Sequence, residues 1–300
     1  MNRLFVKSIA LIAAAFALAA SAFAAEPLRI GVADDPTNCG RALKLLEAAG
    51  LIKNDPAAKF APEIKNITEY LYNVEIVPTQ ANTLTAMIDD LDAIVIGGNY
   101  GIPAGLIPSK NGLFIEKSDG AGDNPFICVI AARTDEANDP DYAKVVSAYR
   151  TQLVAEYMFE EWKEARYPAF PFEKNYTVPA DFLEKLNEYQ SPREGKRVIR
   201  VGVNGAMNGQ WNAVQKVLDE RGDKIFIELV EFDAFNLPNE ALNSGEIDLN
   251  AFQHKAYLNK EIASQGYKLE VAGDTIMAPL SLYSRKVKTL DELKALAGKK

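Results

Sequence analysis

The sequence is poor in the residues that hold metals: its 300 residues include one histidine, His254, and two cysteines, Cys39 and Cys128. No closely spaced cysteine or cysteine-histidine set exists, so a zinc site is not expected, nor any other metal or cofactor. A chain this long can bury ordinary cores without a bridge, and two free thiols are favoured over a disulfide. Basic clusters are also missing. Lys and Arg number 33 against 41 Asp and Glu, the net charge is −8, and the cations are scattered, which excludes nucleic acid as a partner. No nucleophile stands beside a base, and no pair of carboxylates sits in an apolar setting, so no catalytic residue is assigned and an enzyme is not expected. No apolar run reaches the ~20 residues needed to cross a bilayer. The longest, Ile9 to Ala20, follows Arg3 and Lys7 and precedes Ala22-Phe23-Ala24, the pattern of a cleavable export signal over residues 1–24. The first cysteine after it, Cys39, lies well inside the folded region, so no lipid anchor is expected.

Two stretches share one order of elements. Residues 28–50 read as a buried strand, a polar turn with Pro36, and an amphipathic helix stopped by Gly50; residues 198–222 repeat this, with a helix stopped by Gly222. In each, a second strand follows (Val74 to Val77; Ile225 to Val230), then a helix, then an Asp and another apolar strand beginning at Asp92 or Asp248. Strands alternating with helices predict α/β sheets, and the repetition predicts two similar lobes. Ligands of such sheets bind at the carboxyl ends of strands, which singles out the loops after Val32, Ile96, Val203 and Phe252 as walls of one cleft. A helical stretch from Asp141 to Lys163 separates the repeats, followed by a proline-rich linker with Tyr167, Phe170, Phe172 and Tyr176 that should lie against the surface, with one helix over Asp181 to Tyr189.

In Asp34-Asp35-Pro36-Thr37-Asn38 the chain enters a helix whose first turn is expected to hold Arg41. Helix amides and a guanidinium would then converge on one spot suited to a carboxylate. The alternative makes Thr37 or Asn38 an ordinary N-cap and pairs Arg41 with Asp34 or Asp35. The segment Phe252-Gln253-His254-Lys255-Ala256-Tyr257 gathers aromatic groups at a strand end, either as a ligand slot or as core with a structural histidine. Gly97-Gly98-Asn99-Tyr100 ends the corresponding strand as a ligand loop or a tight turn. Gly202-Val203-Asn204-Gly205 lacks the spacing of a dinucleotide fingerprint.

DPTNCGRAL, GGNYGIPAGL, LPNEALNSGEIDLNAFQHKAYL and APLSLYS together resemble the NlpA/MetQ family of methionine-binding proteins. The resemblance implies a two-lobed periplasmic binding protein of type II-like fold, monomeric, delivering methionine or a methionine-like amino acid to an ABC permease and its ATPase. By the same resemblance Arg41 holds the ligand carboxylate with Asn38 nearby. Phe235, Phe252, His254 and Tyr257 shape the side-chain pocket, and Asn99 and Tyr100 contribute from the facing lobe. Cys128 stands where the family usually has a head-group asparagine, and Phe235 where a tyrosine is usual; the segment around Trp211 matches poorly.

The halves occur in inverted order relative to the family, which implies either a circular permutation or a tandem duplication cropped after Lys300. The implied division is a signal at 1–24, one lobe at 25–125 (the family's second half), a crossover and helices at 126–165, a linker joining ancestral termini at 166–196, the other lobe at 197–284, and a second crossover with a terminal helix at 285–300. Crossover strands near Phe126 to Ala132 and Pro279 to Ser284 would serve as the hinge. A lyase-like periplasmic enzyme on the same scaffold, or a ligand-sensing subunit, remains the alternative.

Overall fold

A computed structural model describes residues 26–59, 62–117, 124–162 and 165–300; the export signal assigned to 1–24 lies outside them. The chain enters as β1 (Leu28–Ala33), turns into α1 (Pro36–Ala48), forms a small antiparallel pair, β2 (Ile52–Asn54) with β3 (Ile67–Tyr70), and returns as β4 (Val74–Thr79). β5 (Ala93–Gly97) follows, then the short helices α2 (Gly98–Gly101) and α3 (Pro108–Asn111), and β6 (Gly112–Ile115). A crossing leads to β7 (Ile127–Arg133), α4 (Pro140–Tyr149), α5 (Gln152–Trp162), β8 (Tyr167–Pro168) and α6 (Phe182–Asn187). The second repeat comprises β9 (Arg197–Asn204), α7 (Gln210–Glu220), β10 (Ile225–Phe232), α8 (Leu237–Ser244), β11 (Leu249–Asn250), α9 (Lys255–Gln265) and β12 (Leu269–Met277). A second crossing returns the chain to the first sheet as β13 (Leu280–Tyr283), followed by α10 (Leu290–Ala297).

Both sheets follow one plan. The first has the order β4-β1-β5-β13-β6, the second β10-β9-β11-β7-β12-β8. In each, the opening strand of the repeat lies centrally between two parallel partners, and an antiparallel strand delivered by a crossing pairs with the third. Side chains close tightly over the two central strands. A Cβ on Gly202 would come 2.4 Å from Ile247 Cδ1, and one on Gly31 would come 2.7 Å from Leu84 Cδ2 and Leu91 Cδ1. Glycine at these matching positions therefore admits the apolar layer above each sheet.

Two expected helices differ. The single helical stretch expected from Asp141 to Lys163 is two helices over its described residues, because Arg150 leaves helical geometry at φ −91°, ψ 37°; Lys163 lies outside the described residues. Between β4 and Asp92 the backbone makes turns instead of a helix: Thr83, Ala86 and Asp90 each donate to the carbonyl three residues back, and the Thr83 hydroxyl also bonds the Gln80 carbonyl. The segment after α5 lies on the second body, where β8 pairs with the edge of β12 and Phe170 and Leu186 enter the core. α10 packs Leu293 and Ala297 into the core beneath β1, and Asn73 donates to the Gly298 carbonyl (3.0 Å) while its own carbonyl accepts from Leu28 (2.9 Å).

Candidate functional site

The carboxyl ends of the parallel strands in both sheets face one cavity. Ala33 follows from β1, Gly97 to Tyr100 from β5, Asn204 from β9, and Phe252 to His254 from the segment after β11. All four loops expected from the strand-end rule meet there. Asn38, Arg41, Asn99, Tyr100, Cys128, Phe235, Phe252, His254 and Tyr257 all line it.

Rings form one side. Phe235, Phe252 and Tyr257 stand as a triangle with centroids 6.2 to 6.3 Å apart, and Tyr100 reaches Phe235 from the other body at 5.4 Å. These separations suit tilted and edge-on contacts and give an apolar slot with polar ends. Beneath it, a buried amide network stiffens the loop: Asn239 donates to Gln253 (2.8 Å), and Gln253 donates to Asn239 (2.6 Å) and Asn250 (3.0 Å).

His254 is the N-cap of α9. Its Nδ1 accepts from the Tyr257 backbone N–H (3.1 Å), which puts the ring proton on Nε2, 3.2 Å from Asn38 Oδ1 across the cleft. Burial, followed by the charge of Arg41, lowers its pKa to about 3, so the ring is neutral. Asn38 is fixed from below, because Asp35 accepts from its backbone N–H (2.9 Å) and its side-chain amide (3.0 Å). Asp35, not Thr37 or Asn38, is the N-cap of α1, with Pro36 at its first position. The helix thus begins earlier than expected, and Arg41 stands in its second turn.

Arg41 lines the cavity but departs from the pairing expected as its alternative role. It pairs with neither Asp34 nor Asp35; its Nε and Nη2 grip both oxygens of Glu116, Nε at 2.7 Å, and Nη2 also donates to the Ala278 carbonyl (2.9 Å). The Nε–Nη2 edge of the guanidinium is therefore occupied by a protein carboxylate. A buried pair of this kind is costly to break, about 3–5 kcal/mol. Glu116 and Ala278 also lie on the two crossings, so the pair ties them together.

Arg166, read from sequence as the first residue of a linker, lines the same cavity and is only 3% exposed. Its Nη1 donates to the Met207 carbonyl (2.8 Å), its Nη2 to Asn99 Oδ1, and the guanidinium stacks 4.3 Å over Trp162. Asn204 and Asn208 line the cavity too and were also missed. The one sequence signal for Arg166 was its position four residues after Trp162, a spacing compatible with cation–π contact. Cys128 and Cys39 are free thiols. Burial pushes Cys128 up to about 11 against the pull of Arg41 and Arg166.

A cleft walled by strand ends of two α/β bodies, spanned by two crossings and lined by a ring cluster and buried cations, defines the class of two-lobed binding folds. The chain belongs to the NlpA lipoprotein family, whose model matches residues 25–170 and 199–298. It is similar to the D-methionine-binding lipoprotein MetQ of Salmonella typhi, 50% identical over 97 residues covering 32% of this chain and 35% of that protein. The MetQ of Escherichia coli K12 is 47% identical over 96 residues, with coverages of 32% and 35%. The chain thus spans about a third of the length of the curated relatives it matches. Among solved structures, the nutrient binding protein of Burkholderia cenocepacia bound to methionine is 33% identical with a TM-score of 0.27, covering 28% of this chain and 36% of that one.

The expectation of a protein without a lipid anchor is corrected by these relatives: the family is one of lipoproteins, and the S. typhi and E. coli proteins carry the word in their names. That expectation rested on the position of Cys39, which sits inside α1 and carries no information about an anchor.

Proposed function

We propose that this protein is the solute-binding component of an ABC importer. In this reading it works as a monomer, closes its two lobes on a small amino-acid-like molecule, methionine or a compound of that shape, and presents it to a permease driven by an ATPase. The two sheets are the jaws, the crossover strands near Phe126 to Ala132 and Pro279 to Ser284 are the hinge, and residues 166–196 join the ends of the ancestral order. The nine wall residues named above surround the ligand, Arg41 from its place on Glu116, with the Phe235, Phe252 and Tyr257 rings taking its apolar side chain.

The observation that carries this reading is the junction over the slot. Asn38, in the first turn of a helix on one jaw, meets His254, the cap of a helix on the other, and Tyr100 donates to the Asp233 carbonyl (3.1 Å) across the same gap. Such contacts exist only with the jaws shut, so a ligand that fills the slot stabilises the closed form. A lyase-like role would need a proton-transferring group at the cavity. His254 is poorly suited to it, since both ring nitrogens are engaged and the ring stays neutral.

The test is mass spectrometry of the small molecule that copurifies, followed by calorimetry with L- and D-methionine, short methionine peptides and the hydroxy-acid and N-acetyl counterparts of methionine. Binding of at least one, with recovery of an unaltered ligand, is expected. Failure of every compound to bind overturns the reading, and recovery of a converted product would restore the enzyme.

A further inference from the structure

Arg41 and Arg166 are the charged side chains on the cavity wall among the described residues, and only one of them is neutralised. Arg41 faces Glu116. Around Arg166 no carboxylate makes an ion pair among the described residues; its acceptors are a backbone carbonyl and an amide oxygen, and Nε has no partner. Of its five N–H groups three remain to be used. The face of Trp162 attracts the cation without cancelling its charge. Burial draws its pKa down to about 10, which leaves it charged at neutral pH.

The surroundings offer little to a second cation. Cys128 lies within the field of both guanidiniums and is a neutral thiol, a weak acceptor. Asp34 and Asp35 line a neighbouring recess beyond Tyr100 and Phe235, and Asp35 is already bound by Thr37 and Asn38. One acceptor without a partner sits on a wall residue: Asn204 Oδ1, a covered atom on a residue 2% exposed, which calls for a hydrogen-bond donor.

We propose that Arg166 is the anion-binding residue of this cavity, and that the ligand is a small carboxylate with an apolar tail, no free ammonium, and a neutral donor next to the carboxylate. A 2-hydroxy acid or an N-acylated amino acid of methionine's size fits this chemistry. The carboxylate takes the remaining Nη hydrogens of Arg166, the hydroxyl or amide N–H donates to Asn204 Oδ1 once the side chain turns to it, and the tail enters the Phe235, Phe252 and Tyr257 slot. Arg41, held by Glu116, acts as a positioning residue at the hinge. The inference rests on the cavity being the ligand site and specifies the ligand's charge.

Calorimetry at neutral pH and low salt compares methionine, 2-hydroxy-4-(methylthio)butanoate and N-acetylmethionine. At least one of the two anions should bind wild type roughly tenfold or more tighter than methionine, since it alone matches the uncompensated charge. Arg166→Met should weaken that anion by roughly 30-fold or more, with Arg166→Lys retaining part of the affinity, melting curves confirming that each variant folds. If methionine binds as tightly as both anions, or if Arg166→Lys and Arg166→Met leave anion affinity within about threefold of wild type, the inference is overturned while the binding-protein reading stands. If none of the three compounds binds, the inference falls, and the binding-protein reading falls with it only when D-methionine and the short methionine peptides fail as well. Should Arg166→Met not fold, the wild-type ranking and Arg166→Lys still decide.

Discussion

His254 couples three features through one ring: the backbone cap of α9, a hydrogen bond across the cleft, and a neutral imidazole in a buried place. Its folded pKa of about 3 lies below the 6.5 of an exposed histidine. Below pH 6.5 the unfolded chain therefore takes up a proton that the folded chain refuses, and stability falls as the pH drops. The contribution approaches about 1.4 kcal/mol per pH unit in the window from about 6.5 towards 3, on top of the carboxylate titrations. Urea denaturation of wild type and His254→Gln between pH 7 and 5 should show a shallower decline in the variant. Equal slopes would mean that the folded ring titrates normally. The sequence disclosed the aromatic company of His254 but not its partners. It placed Arg41 near the site but gave no sign of its protein partner, since Glu116 is 75 positions away and nothing local points to it. Arg166 was unreadable for the same reason: it meets Asn99, 67 positions away, and has no ion-paired carboxylate among the described residues.

At the scale of elements, local pattern was informative wherever one face of the element is buried by its own repeat. The strand-helix-strand order of both repeats was legible, down to the recurring Asp before the third strand. Asp92 accepts from the Arg29 N–H and Asp248 from the Arg200 N–H, each at 2.7 Å, so each carboxylate pins the third strand to the foot of the central one. The expected helix after β4 failed because Thr83 offers its backbone a competing local bond. The start of α1 was misjudged by two to three residues because Asp35, Thr37 and Asn38 are all good caps, and Pro36 decides among them. Asp35 does more than cap: it also holds the Asn38 amide that meets His254. Asp35→Ala should cost about 1 kcal/mol of stability in denaturant titrations. It should also weaken ligand binding, with Asp35→Asn recovering most of both. A variant that loses stability and keeps full affinity would show that Asn38 is held in place by something other than Asp35.

At the scale of the whole molecule, what remains to be explained is the order of the halves. The first sheet takes back one antiparallel strand, β13, after the chain has built the whole second sheet from β7 to β12, so the first lobe is made of two separated pieces of chain and the second of one. We infer a permuted order, supported by geometry at both junctions. Gly298 and Leu28 bond the two sides of Asn73, placing the end of α10 beside the start of β1. The segment that would join the ancestral ends is exposed over Pro192 to Gly195 and carries no sheet pairing there. A rearranged chain should then fold alike: opened between Pro192 and Arg193, run to Lys300, joined by a few Gly and Ser residues to Leu28, and continued to Pro192. It breaks no strand pairing and leaves the Arg166 and Asn99 contact intact, so its melting temperature should lie within about 5 °C of the parent, a change of about 1–2 kcal/mol. Ligand affinity should be unchanged in calorimetry. Aggregation, or a melting point lowered by tens of degrees, would show that the present order is required for the jaws to assemble and that the two halves are not exchangeable pieces of one receptor.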